Sequence, residues 1–308
     1  MGGLVRVAAA VVVLPMMMVE QGWAWGETGH RLINRLAVAN LPAEMPEFLR
    51  DAAAANAMEY LGPEPDRWRN PAEPELNAAQ APEHFIDLEY AEMLPVLPKR
   101  RYDYVRALAV LQKDHPDLAL SVEKVGLQPY VTTEVWERLK AAMRAYRTVA
   151  AAKGDTKPVE MAIVFYAGWL GHYVGDGAMP LHTSVNYNGW TTGPNPKAYT
   201  TLHTIHADFE SVYVTANVKS GDVEALVGAA KPKVIGDVWA GYMEYLRHSH
   251  TLVEPVYALE KAGAFAGAGT AEGKAMVDER LAAGTIELRD LIYTAWVKSA
   301  DPVQEFKG

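Results

Sequence analysis

Apolar positions recur at three- and four-residue spacing along most of the chain. Leu32, Leu36 and Ala39 form one stripe after Trp25-Gly26, and Tyr104, Leu108 and Leu111 form a second, bounded by His115-Pro116. Val135, Leu139, Met143 and Tyr146 mark a long amphipathic helix over 132–152, opened by threonine caps and closed near Gly154. Pro158 suits the first turn of the next helix, which carries Ile163, Tyr166, Leu170 and His172. Further helices are expected at about 199–217, 221–230, 235–262 and 271–299. No alternating run is long enough for a sheet, so the expected class is all-α. Proline-rich pieces at 62–74, 94–98 and 180–196 read as ordered loops between helices.

Composition changes this picture at the amino terminus. Arg6 precedes an apolar run from Val7 to Val19, and Gly22-Trp23-Ala24 supplies the small residues a signal peptidase reads. The run is short for a membrane span. A signal peptide over 1–24 and a single all-α domain over 25–308 are therefore expected, with export to the periplasm or outside the cell; an uncleaved anchor is the alternative. Cleavage would free the α-amine of Trp25. Such an amine titrates at roughly 7.7–8.0 and can chelate a metal together with its own carbonyl oxygen.

The chain has no cysteine, which excludes disulfides, a thiolate nucleophile, iron–sulfur clusters and cysteine-ligated zinc. Its net charge is −9, and losing Arg6 and Glu20 with the leader leaves the balance unchanged. Broad electrostatic attraction to nucleic acid or anionic lipid is not expected, whereas a local cationic site is compatible with this balance.

The chemistry concentrates in Gly-His-Tyr-Val-Gly-Asp-Gly-Ala-Met-Pro-Leu-His, from Gly171 to His182. His172 and Asp176 stand four residues apart, on one helix face. Pro180 stops that helix, and His182 arrives from the turn beyond. Two imidazoles and a carboxylate at one helix end make a nitrogen-and-oxygen ligand set suited to zinc. His206 and Glu210 repeat the helical spacing, and His30 and His84 fall in separate segments upstream. Each of these alone is weak evidence; together they describe a metalloenzyme.

The order Trp25-Gly-Glu-Thr-Gly-His30, Asp66, His84, His172-x3-Asp176-x5-His182 and His206-x3-Glu210 resembles the trinuclear zinc phosphodiesterases. That superfamily comprises single-strand-specific zinc nucleases and bacterial zinc-dependent phospholipases C. The likeness runs over about 25–215 and implies an all-α fold with three zinc ions. It implies that Asp66, His84, His172 and Asp176 hold the first ion and that His182, His206 and Glu210 hold the second. The third would take the amine and carbonyl of Trp25, His30 and the bridging carboxylate of Asp176. Asp66 would also orient or deprotonate the attacking water, and Arg69 would grip the phosphate. Phe85 would stack on a base, with Asp87 bonded to the base edge. The plain alternatives are a surface ion pair for Arg69, core packing for Phe85 and a helix cap for Asp87.

The two branches of the superfamily divide this chain. The short Trp-x4-His opening and the Asp66/Arg69 pair resemble the nucleases, although Glu64-Pro65 replaces the usual Trp-Ala. His206-Ala-Asp-Phe-Glu210 resembles the phospholipase ending. Leu202-His203 is similar to the nuclease Leu-His, but Ala207 follows at the ligand position, so His206 is preferred with His203 as the substitute. Asn186-Tyr187-Asn188-Gly189-Trp190 stands where the family has a glycine-glycine-asparagine loop, and Tyr187 and Trp190 either shape a cleft or fold the loop. The interval between His84 and His172 exceeds that of typical relatives by about thirty residues, so the segment 100–153 is expected to add helices as a lid or as scaffold. His115, His248 and His250 take no role, and His248 and His250, which diverge on a helical stretch, are read as surface residues.

The expected function is thus an exported zinc-dependent hydrolase of phosphate esters, acting on single-stranded nucleic acid or nucleotides. A phospholipase C releasing phosphorylated headgroups is the alternative. A non-catalytic metal-binding surface protein is the alternative of another class. No obligate protein partner is implied.

Overall fold

The computed structural model describes residues 25–303, so the signal peptide expected at 1–24 lies outside the described residues. Its main helices are α1 (Gly26–Ala39), α2 (Ala52–Leu61), α3 (Arg101–Asp114), α4 (Gln128–Ala151), α5 (Lys157–Ala178), α6 (Ser220–Gly228), α7 (Val238–Thr251), α8 (Val253–Lys261) and α9 (Ala271–Lys298). There is no strand among the described residues; Ile86 pairs with Gly126 and Tyr187 with Gly189 as isolated bridges. The fold is all-α. Apolar faces converge on one continuous core that takes in Trp25, Ile33, Leu139, Leu170, Phe209 and Leu288.

Helix α5 is the axis of the molecule, packing against α1, α2, α4 and α9. Two of its glycines set how closely α1 approaches. A Cβ on Gly171 would lie 1.9 Å from Asn34 Oδ1, and one on Gly175 would lie 2.9 Å from His30 Nδ1. Without those side chains α1 sits directly on α5. Asn34 secures the contact by donating to Met58 O and Gly168 O, both at 2.9 Å, which ties α1, α2 and α5 together.

Several boundaries differ from the sequence expectation. Helix α4 begins at Gln128, four residues ahead of Thr132. Pro129 fits its first turn, and Thr132 and Thr133 donate back to the Gln128 and Pro129 carbonyls at 2.8 and 2.7 Å instead of capping. The stretch expected at 235–262 divides into α7 and α8 at Leu252. Pro255 cannot donate to the Thr251 carbonyl and its ring clashes there, so one helix cannot run through. The stretch 199–204 is not helical, and Ile205–Asn217 is interrupted by a π-helical turn at Asp208–Val212. The loop expected at 62–74 holds a short helix, Glu64–Arg67, and another, Pro74–Gln80, begins at its end; each has proline in its first turn.

Candidate metal centre

Two long helices and five short elements bring the candidate ligands together near the end of α5. His172 and Asp176 lie on α5, and His30 comes from α1. Asp66 sits in the Glu64–Arg67 turn and His84 ends a 3₁₀ turn over Ala81–His84. His182 lies in the 3₁₀ turn Pro180–Thr183, where α5 has stopped. His206 and Glu210 flank the start of the π turn. A π turn holds one more residue than an α turn and commonly marks a functional position.

These side chains form three groups able to hold a metal ion: His30, His172 and Asp176; Asp66, His84 and His172; and His182, His206 and Glu210. His172 therefore stands between two groups, whereas the resemblance placed it with the first ion alone. His30 Nε2 lies 3.4 Å from Asp176 Oδ1, and His84 Nδ1 lies 3.2 Å from Asp176 Oδ2. His206 Nε2 and Glu210 Oε1 are 3.2 Å apart.

The imidazoles are oriented by carbonyl groups behind them. His172 Nδ1 donates to Gly62 O at 2.9 Å, His182 Nδ1 to His84 O at 2.6 Å and His206 Nδ1 to Tyr187 O at 3.1 Å. A carbonyl only accepts, so each Nδ1 carries the hydrogen and each Nε2 is left as the inward-facing donor to a cation. His182 Nε2 and His206 Nε2 face each other at 3.2 Å. With both Nδ1 atoms bonded to carbonyls, a cation between the two Nε2 atoms would be ligated by both rings.

Electrostatics point the same way. Burial holds His84 and His172 well below the ordinary histidine value, so both rings are neutral and able to ligate. Burial also raises Asp66 and Asp176 above the usual carboxylate range. For His206, burial lowers the pKa, but Glu210 and the Tyr187 carbonyl outweigh it and the net shift is upward. For Glu210, burial raises it, and His206 and His182 bring it down overall. Asp66 Oδ2 and both Asp176 oxygens are buried yet accept no hydrogen bond of proper geometry. Buried carboxylate oxygens in native proteins are satisfied, and a divalent cation would satisfy these. The donor set fits zinc, which takes imidazole nitrogen and carboxylate oxygen.

Other expected residues fall around this cluster. Arg69 Nη1 lies 3.9 Å from Asp66 Oδ1, with the side chain 27% exposed, so it faces the centre and not a surface glutamate. Phe85 is half-buried and outside the core. Asp87 is buried at the start of a short helix without making a side-chain cap, and burial, with Glu89 adding to it, pushes its pKa up to about 8. Trp25 is fully buried: its backbone N–H donates to Glu210 Oε2 at 2.9 Å and its indole to Gly175 O at 2.6 Å. Its backbone nitrogen thus stands at the His182 group's carboxylate. His203 is exposed and belongs to none of the three groups. Tyr187 is exposed with its ring edge against His206, and Trp190 packs on Tyr199 and Tyr257.

Sequence reasoning missed the supports. His250, read as a surface residue, is part-buried and bonded through Nδ1 to Thr183 O at 2.9 Å, steadying the turn that carries His182. Glu89 accepts from Ser184 Oγ at 2.6 Å and Val185 N at 3.2 Å, linking the His84 and His182 segments. No local spacing signals either contact, since about seventy and ninety-five residues separate the partners.

A family model described as S1/P1 nuclease matches residues 25–288. No curated protein matches the chain.

Proposed function

The chain belongs to the S1/P1 nuclease family, and from that premise we propose that it is an exported, zinc-dependent phosphodiesterase acting on single-stranded nucleic acid or nucleotides. The observation that carries the reading is the meeting of His30, Asp66, His84, His172, Asp176, His182, His206 and Glu210 in three adjoining groups. Three zinc ions are proposed: one held by Asp66, His84, His172 and Asp176, one by His182, His206 and Glu210, and one by His30 and the bridging Asp176. The ion at His30 would gain the amine and carbonyl of Trp25 once the chain is cleaved before it.

Zinc at these groups supplies Lewis acidity to the phosphate and lowers the pKa of water. The protein's own residues do the rest. Asp66, three per cent exposed at the edge of the cluster, orients the attacking water and takes its proton. Arg69, beside it, holds the phosphate oxygens with its planar fork and offsets their growing charge. Phe85 offers a half-exposed ring to the base, and Asp87 two residues on offers its buried carboxyl to the base edge. A duplex keeps its bases stacked, so stacking on Phe85 favours single strands.

A phospholipase C activity is the second reading, favoured by glutamate at position 210. Exposed Leu202 and Tyr187 would then meet the lipid interface. The test is a substrate panel on the zinc-loaded mature form, with single-stranded DNA, RNA, nucleotide monoesters and phospholipid micelles. Full zinc with no turnover of nucleic acid or nucleotides removes the nuclease reading, and release of phosphorylated headgroups establishes the second. Inactivity throughout leaves a binding protein. Sequencing the amino terminus of the exported protein tests cleavage before Trp25.

A further inference from the structure

The loop that carries His84, Phe85 and Asp87 is held from behind by the segment 100–153. Leu127 N donates to Pro82 O at 2.6 Å, Gln128 N to Phe85 O at 3.2 Å and Asp87 N to Val125 O at 2.8 Å. Between these bonds Ile86 and Gly126 form an antiparallel bridge. Gly126 has φ 91°, and a Cβ there would stand 2.0 Å from Phe85 O, so only glycine lets the two backbones close.

Two side chains of the same segment extend the grip to α5. Gln128, one per cent exposed, donates Nε2 to Tyr173 O at 2.6 Å and to Tyr242 Oη at 2.5 Å. Tyr173 adjoins His172. Arg101 forks onto both Glu134 oxygens at 2.9 Å and reaches Glu83 Oε1 at 2.7 Å. Glu83 adjoins His84, and its other oxygen accepts from Tyr173 Oη at 3.3 Å. Residues 101 and 128 thus grip both neighbours of the His84–His172 pair, whose facing nitrogens are 3.0 Å apart. Helix α4 continues from Gln128 along α5 and α9, which makes this segment a brace beneath the loop.

We propose that Arg101 and Gln128 are positioning residues that fix the spacing of His84 and His172, and with it the affinity of the ion bound by Asp66, His84 and His172. The proposal rests on the metal-binding reading of that group. Its chemistry is that of outer partners in metal sites, which hold a ligand in place without touching the ion.

The experiment titrates zinc into the full chain against a chromophoric chelator and records the visible spectrum of the cobalt(II) form. Arg101→Ala and Gln128→Ala are compared with Arg101→Lys, and with Arg147→Ala as the control. Arg147 lies near the far end of α4, where it stacks on Trp296 and donates to Ser299 Oγ and Trp296 O, so its loss weakens packing without touching the loop. Expected is a roughly 10- to 100-fold loss of affinity in one class of site for Arg101→Ala and Gln128→Ala, with a changed cobalt spectrum. Arg101→Lys recovers part of the loss. Arg147→Ala lowers Tm while affinities and spectrum stay as in the wild type. Wild-type titrations for Arg101→Ala and Gln128→Ala overturn the proposal, as does a loss spread evenly over all sites in proportion to Tm. If Gln128→Ala fails to fold, Arg101→Ala decides, because Arg101 is partly solvated. A wild-type chain that takes no zinc fails in a different way, and removes the metal reading together with the proposal.

Discussion

His182 and His206 aim their Nε2 atoms at each other across 3.2 Å, each ring fixed from behind by a backbone carbonyl. The pair is held in a geometry suited to a shared cation, and binding of one there would be coupled to folding. Removing metal with a chelator is expected to lower Tm by several degrees, and adding zinc back is expected to restore it. At a free concentration a hundred times Kd, one site contributes about 2.7 kcal/mol. Scanning calorimetry over a zinc series measures the slope, and a Tm indifferent to zinc would count against an ion at this pair.

His203 and His206 are three residues apart but differ in surroundings: the first is exposed and the second buried against Glu210. His206→Ala is expected to lower bound zinc, measured by atomic emission, and His203→Ala to leave it at the wild-type level.

Arg69 stands beside Asp66 but belongs to none of the three groups. Arg69→Ala is expected to reduce kcat/KM by roughly 10²–10³ with zinc content unchanged, the usual effect of removing a charge-stabilising donor. Arg69→Lys recovers only part, because an ammonium does not reproduce the fork. Steady-state kinetics on a dinucleotide, paired with metal analysis, separates this from loss of an ion.

Phe85→Ala is expected to cost about 1–3 kcal/mol of base stacking, seen as a higher KM for dinucleotides. A phosphodiester without a base should be cleaved as before. Equal losses on both substrates would mean that the ring supports the loop and not the base.

Glu287, eight per cent exposed on α9, has an Oε1 without a hydrogen bond. Burial, assisted by Asp290 and opposed by Lys233, pushes its pKa up from 4.5 to about 7. The folded chain therefore binds this proton more tightly than the unfolded chain. The resulting stability is full below pH 4.5 and disappears as pH rises to 7, a change of roughly 3 kcal/mol. Glu287→Gln should raise the free energy of unfolding at pH 8 and make little difference near pH 4.5. Urea denaturation at the two pH values measures it.

Much of the centre was legible because its signals are local. His172 and Asp176 share a face by spacing alone, and Pro180 marks where the helix must end. The helical stripes at 101–114, 157–178 and 271–298 follow apolar periodicity that the core then uses. What escaped the sequence depends on pairings across long intervals. Thr132 looks like a cap until Gln128 is seen bonded to Tyr173, which lets the helix begin a turn earlier. Gly126 carries no sign of the Phe85 carbonyl it must admit. No spacing signals that the His172 ring stacks on His30 at 4.1 Å as well as facing His84.

The close seat of α1 on α5 closes the centre from one side. His30, His172 and Asp176 have no exposed surface, while His182 and His206 are 6% and 7% exposed and Arg69 lies further out. On the three-ion reading, an ion at His30 and Asp176 would leave after those nearer the surface, or when α1 lifts from Gly171 and Gly175. Exchange with an isotopically labelled bath should then be staged, with the last ion released at the pace of local unfolding.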